Sequence, residues 1–253
     1  MGPMFTCSID DGHPLDLKAA ALLDKHGLHG TFYLPIRNCE GESVMANGEI
    51  RELARRFEIG SHTRDHCYLK NIDVWQAYEQ VAQGKKLLED VLGQEVSGFC
   101  YPGGRYRRRD VGLVRSCGFR YARTTMNLCF DAGTHPFEIP TTIQFYPHDR
   151  SVYLRNFATS GHWLRRQDGL LLALQKQDWI ARLYALFDFA CERQGVFHLW
   201  AHSTQIEQLE AWGAFDALLG HIAAHVPVRN RVSNAQLATR SFTVALESPV
   251  GSF

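Results

Sequence analysis

At 253 residues, 45% of them apolar and 21% charged, the chain can build one large core, and single (β/α) barrels commonly reach this length. Lys plus Arg equals Asp plus Glu at 27 each, so no overall field draws in nucleic acid or an acidic membrane, and partner choice must come from a local site. The opening residues lack the basic region and apolar run of a secretory signal, and no later stretch reads as a membrane span, which predicts a cytoplasmic protein.

In chain order, residues 5–9 read as a first strand and 15–26 as a helix ended by Gly27. Strand 30–34, helix 50–56 and strand 57–60 follow. The longest helix spans 74–92, with Asp73 as its N-cap and Gly93 just past its end. Strand 97–101, helix 111–117 and strand 119–123 repeat the unit, after which 133–149 carries Pro, His and Gly and reads as irregular. A helix at 179–193 capped by Asp178, a strand at 196–200 and a helix at 206–226 come next, and 232–242 closes the domain. Strands alternating with helices predict an α/β fold, a (β/α) barrel of eight or fewer regular strands, in a single domain over 1–253. In such a barrel the residues just past the strands' C-terminal ends converge on one face.

Four polar clusters fall at such positions. Asp10 and Asp11 end the first strand before Gly12, and adjacent side chains there point apart, so the two carboxylates can serve different partners. An Asp-Asp-Gly turn holding its own backbone is the plainer alternative. His62 and His66 follow the third strand, and on one helical turn their spacing would put both imidazoles on the same side. With one Asp they make a three-ligand N/N/O set that leaves a position open, as in a catalytic zinc site. Residues 99–104 run from strand into a Pro-Gly-Gly turn whose N–H groups could approach a ligand, or form a simple surface turn. His202 emerges from the strand at 196–200 and could protonate a leaving amine, although most histidines have structural roles.

Two other histidine pairs read differently. His198 and His202 lie about 13 Å apart along a strand, too far to share an ion. His221 and His225 sit on a polar-leaning helix face and read as solvated. The seven cysteines form no C-x-x-C pair and read as buried, reduced thiols. Trp163, Trp200, Tyr101, Tyr106 and Trp212 are candidate aromatic faces for a ring-shaped ligand, with core packing as the alternative.

Taken in order, the clusters resemble the polysaccharide deacetylase family, also called the NodB-homology family or carbohydrate esterase family four. Ser8-Ile9-Asp10-Asp11-Gly12 resembles its T-F-D-D-G, and His62-Thr63-Arg64-Asp65-His66 matches its H-[ST]-x-x-H. Cys100-Tyr101-Pro102-Gly103-Gly104 is similar to R-x-P-x-G in weakened form, Trp200-Ala201-His202 to the late catalytic-histidine motif, and Gly30-Thr31-Phe32-Tyr33 to the second strand. The resemblance spans about residues 5–203.

It implies a distorted (β/α) barrel, Asp10 as general base, and Asp11, His62 and His66 as ligands of one divalent ion. Zinc is the first choice, with cobalt, nickel or manganese compatible. It further implies His202 as general acid, Tyr101, Pro102 and Gly103 beside the substrate with a backbone N–H near Tyr101 on the oxyanion, and Trp200 lining the acyl pocket. The implied substrate is an N-acylated amino sugar. Two positions depart from the family: Cys100 stands where the base-orienting Arg belongs, leaving Arg105, Arg107, Arg108 and Arg109 as substitutes, and no D-x-x-D-W motif is present, since Gln177-Asp178-Trp179 reads as a helix start. The rivals are a deformylase or ring-amide hydrolase on the same site, and a catalytically inactive glycan-binding relative.

Overall fold

Short apolar runs separated by amphipathic stretches become parallel strands, because each intervening stretch is long enough to cross back over the sheet. The computed structural model describes residues 2–246, with β1 (Met4–Asp10), β2 (Thr31–Leu34), β3 (Glu58–Ser61), β4 (Gly98–Cys100), β5 (Tyr121–Arg123), β6 (Ile143–Gln144) and β7 (Val196–Ala201). They form one parallel sheet in the order β5-β4-β3-β2-β1-β7-β6. The helices are α1 (Asp16–Lys25), α2 (Asn47–Ala54), α3 (Val74–Leu92), α4 (Arg108–Ser116), α5 (Arg150–Ser160), α6 (Trp163–Gln175), α7 (Trp179–Glu192), α8 (Ser203–Gln208), α9 (Trp212–His225) and α10 (Asn234–Leu246). None is long and apolar enough to cross a membrane.

The sheet curls into a distorted barrel, and the stretch read as irregular is what draws its edges together. Ala122 N donates to Pro136 O and Ile139 N to Ala122 O, each at 2.9 Å, along the β5 edge. A few residues on, Thr142 N donates to His198 O at 2.9 Å and Phe145 N to Trp200 O at 2.8 Å on β7. One segment thus satisfies backbone groups of both edges, which would otherwise be exposed. Phe5, Ile9, Phe32, Phe99 and Leu199 are fully buried between sheet and helices. Truncating a phenylalanine of this kind to Ala costs about 3–5 kcal/mol.

The caps agree with the sequence. Asp73 accepts from Trp75 N and Gln76 N, Gly93 is left-handed at φ 67°, and the Asp178 side chain accepts from Ala181 N at the start of α7. Three expectations change. The helix at 206–226 is two, α8 and α9, parted where Glu210 turns left-handed at φ 52°. Residues 150–175, unassigned in the sequence, form α5 and α6, whose apolar positions Leu154, Trp163, Leu164 and Leu171 lie exposed and blur the amphipathic pattern. Of the seven thiols only Cys7, Cys100 and Cys129 are buried, and Cys39 is exposed.

The bottom-lying α10 is anchored inside the barrel. Asn234 Nδ2 donates to Ser8 Oγ at 2.8 Å and Tyr33 Oη at 2.9 Å, and its Oδ1 accepts from Thr6 Oγ1 at 2.8 Å. His198 joins this network. Its Nδ1–H donates to Pro140 O at 2.9 Å, so Nε2 is left to accept from Ser8 Oγ at 2.7 Å.

Candidate active site

β1, β3, β4, β5 and β7 all end on one face, which is where Asp10 and Asp11, His62, Cys100, Arg123 and His202 gather. The two aspartates do point apart. Asp10, 3% exposed, accepts a charge-assisted hydrogen bond from Arg123, which is completely buried. Asp11 faces the histidines instead: its Oδ1 lies 3.1 Å from His66 Nε2 and 3.6 Å from His62 Nε2, and its Oδ2 lies 3.5 Å from His202 Nε2.

The imidazoles converge without a helical turn. Residues 62–66 are irregular, with Thr63 at φ 67° and His66 at φ 57°, and the two rings end 5.0 Å apart. Asp11 is also left-handed, at φ 81°. Each such residue costs on the order of 1–3 kcal/mol, a cost tolerated where the surroundings fix the backbone. Here they do. Thr63 Oγ1 accepts from Cys67 N at 3.0 Å, Arg64 N donates to Gln80 O at 2.9 Å, and Gln80 holds Asp65 through both ends of its amide. α3 comes close enough for this because Gly84 has no Cβ, which would meet Thr63 C at 2.8 Å and Arg64 N at 2.9 Å.

The trio fits a cation. His62 Nδ1–H donates to Cys100 O at 2.9 Å, so an unprotonated Nε2 faces a carboxylate oxygen with no hydrogen between them. Asp11 Oδ1 has no hydrogen-bond partner although buried. The separations of 3.1 and 3.6 Å bracket the about 3.4 Å expected between ligands on a tetrahedral ion with bonds of about 2.1 Å. Burial pushes the Asp11 carboxyl up, yet the neighbouring imidazoles of His62, His66 and His202 outweigh it and hold the group below the usual carboxylate range. Asp10, His62 and Cys100 also cluster, but Asp10 is paired with Arg123, and burial pushes the Cys100 thiol far from the thiolate a metal needs.

Four supporting residues escaped the sequence reading. Arg123, rather than Arg105, Arg107, Arg108 or Arg109, orients Asp10; Arg109 is taken by Asp110, and Arg105 stacks on Tyr68 at 4.8 Å. Glu40 Oε2 lies 3.6 Å from His66 Nδ1, a buried atom with no hydrogen bond, while Tyr68 Oη donates to its other oxygen at 2.9 Å. At His202, Nδ1 lies 3.1 Å from Gln205 Oε1 and 3.2 Å from Gln144 Nε2, and Gln144 Nε2 donates to Gln205 Oε1 at 2.9 Å. An amide oxygen therefore stands beside the ring nitrogen of His202 that faces away from Asp11.

The turn after β4 differs from expectation. Tyr101 is buried, stacks on Tyr106 at 4.1 Å and donates through Oη to Phe137 O, and its N–H is taken by Arg123 O at 3.3 Å. It offers neither a ring nor a free donor to a ligand. Pro102 is buried too, while Gly103 and Trp200 line the adjoining cleft. The Trp200 ring lies 5.3 Å from that of His202. Trp212 lies under Lys18 at 4.5 Å, and Tyr106 Oη donates to Glu138, so neither is presented to the cleft. His221 is half-buried against Tyr184 and Phe187 rather than solvated.

Residues 2–122 match the family described as Polysaccharide deacetylase. The first half of the chain is thus similar to the polysaccharide deacetylases. Among curated proteins, "Putative polysaccharide deacetylase YxkH" of Bacillus subtilis (strain 168) is 26% identical over 120 residues, which cover 47% of this chain and 43% of that protein. The chain thus spans less than half the length of that relative. A "putative polysaccharide deacetylase from Mycobacterium smegmatis" superposes over 100% of this chain and 95% of its own, with a TM-score of 0.66 and 16% identity, and shows the shared fold. A CE4 family pseudoenzyme from Bacillus anthracis superposes over 88% of this chain and 61% of its own, at a TM-score of 0.53 and 15% identity. Deacetylase-like barrels therefore include an inactive protein, and activity has to be argued from the site.

Proposed function

We propose that the chain is a metal-dependent hydrolase that removes an acetyl or other acyl group from the nitrogen of an amino sugar. The observation that carries this reading is the convergence of a buried Arg123–Asp10 pair, the Asp11–His62–His66 trio and His202 on one face. Base, ligand set and acid are all filled by residues competent for the work.

Asp11, His62 and His66 would hold the ion, which when bound polarises the amide carbonyl and a water. Asp10 accepts the proton of the attacking water. Arg123 fixes the carboxylate's direction through a charge-assisted hydrogen bond to one of its oxygens. His202 presents Nε2 toward Asp11 and gives its proton to the departing nitrogen, without which an amide cannot expel its amine near neutral pH. Gly103 supplies backbone at the rim, and Trp200 supplies the apolar wall for the acyl methyl. Zinc is the favoured ion for an N/N/O set, and cobalt, nickel and manganese suit the same donors.

The test is metal analysis of the purified protein joined to a screen for acetate and formate released from N-acylated sugars. Release of either acid, dependent on the ion and on Asp10, supports the reading. Formate alone would assign a deformylase. A metal-loaded protein that binds glycans and releases nothing would favour the inactive relative, the reading to which the amide beside His202 lends weight.

A further inference from the structure

Beside the site lies a cleft of about 320 Å³ whose wall includes Gly103, Gln144 and Trp200, and it is basic. Arg105 and Arg155 both line it, Arg105 from the turn after β4 and Arg155 from α5. Both are exposed, and neither makes an ion pair among the described residues. No Asp or Glu lines the cleft.

Two buried guanidinium groups stand behind that wall. Arg166, fully buried, donates to Asn127 O and Oδ1 at 2.8 Å and to Gly161 O at 3.0 Å, all neutral acceptors. Arg182, 2% exposed, donates to His148 O and Lys176 O, each at 2.9 Å. Asn127, Asn156, His148 and Tyr153 are the lining residues that touch these two. A buried cation bonded only to neutral groups leaves its field uncompensated, and a low-dielectric wall passes that field into the cleft. Burial, Arg182 and Arg155 together hold His148 below the usual histidine range, which reports the same positive surroundings. Asp149 and Asp178 border a neighbouring cavity instead, where their side chains cap α5 and α7.

We infer that this cleft binds an oxyanion carried by the substrate next to its acylated amine, with Arg105 and Arg155 as the contacting cations. The inference rests on the deacylase reading of the adjoining site. Gln144 and Trp200 belong to both spaces, so a group held in the cleft sits directly beside the reacting centre. A sugar phosphate and a neighbouring uronate carboxylate present the same chemistry to a planar guanidinium fork.

Calorimetric titration of the zinc-loaded Asp10→Asn protein with N-acetylglucosamine, N-acetylglucosamine 1-phosphate and an N-acetylglucosamine–uronate disaccharide tests this. At low salt the charged ligands should bind about tenfold or more tightly than the neutral sugar. That advantage should shrink with added salt and in the Arg105→Gln/Arg155→Gln double variant, whose changes fall on exposed side chains. Preference for the phosphate or the uronate names the source. Equal affinity for charged and neutral ligands, or an advantage untouched by the double variant, overturns the inference. Charge-selective binding with no acid released by the wild-type protein would leave the cleft standing and remove the deacylase reading.

Discussion

Cys100 and Arg123 are register partners on β4 and β5, so the guanidinium that orients Asp10 enters one strand over from the position the family motif assigns to it. The strand ends are adjacent, and the long side chain covers the difference. Arg123 also lies over Tyr33 at 5.3 Å and Trp200 at 5.2 Å, which fixes it from both sides.

Arg123→Gln should therefore leave a buried carboxylate without its cation. We expect a loss of about 3–5 kcal/mol in urea unfolding and a collapse of turnover with metal content retained. The exchange Cys100→Arg with Arg123→Cys, which returns the charge to the motif position, should recover part of both. Full activity in Arg123→Gln alone would remove Asp10 as the base.

The proposed division of labour separates by metal analysis. Asp11→Ala, His62→Ala and His66→Ala should lose the ion, whereas Asp10→Asn and His202→Ala should keep it and lose turnover by about 10²–10⁴-fold.

What the sequence made legible was local. Asp10-Asp11-Gly12 and His62 through His66 could be placed because each lies just past a strand whose apolar run is plain, and the turn and loop chemistry sits in adjacent residues. Arg123 could not be found that way, because its partner is 113 positions away and only the β4–β5 register brings them together. The same holds for Gln144, which lies in the stretch rich in Pro, His and Gly that carries few strand signals of its own yet pairs with both β5 and β7. The convergence of His62 and His66 was legible for the wrong reason: a strained loop, rather than helical periodicity, aims the rings.

Glu40 should tune the metal site through His66. Its carboxylate lies beside Nδ1 and is steadied by Tyr68, the arrangement by which an acceptor fixes a ligand histidine's tautomer. Glu40→Gln should weaken metal affinity by about 10–100-fold in chelator competition, with little change in thermal stability of the apo protein, since the residue is half exposed.

Gln205 should matter to rate more than to binding. Its Oε1 accepts from Gln144 and faces His202 Nδ1, keeping that nitrogen protonated so that Nε2 is the one that exchanges. Gln205→Ala should lower kcat by roughly tenfold or more at unchanged KM and metal content, and Gln205→Glu should restore kcat. A change confined to KM would reassign the residue to substrate contact.

His198 should make the fold acid-sensitive. Burial, helped by the charge of Arg123 and opposed by the Pro140 carbonyl, brings its pKa down to about 3 from the ordinary value of about 6.5. Between those values the unfolded chain binds a proton that the native protein does not, so the stability is whole above about pH 6.5 and falls by about 1.4 kcal/mol per unit below it. His198→Gln can keep both hydrogen bonds, and its urea midpoints should show a shallower pH slope between pH 6.5 and 4.5 than those of the wild type.

The segment that joins the barrel's two edges has a mechanical meaning for the chemistry. It carries Gln144, and through it His202, whereas Asp11, His62 and His66 hang from β1 and β3 in the uninterrupted wall. Any fraying that starts where the ends of the sheet meet will disarm the proton donor while the cation's grip persists, so gentle heating should yield a loaded but idle protein before it yields an unfolded one.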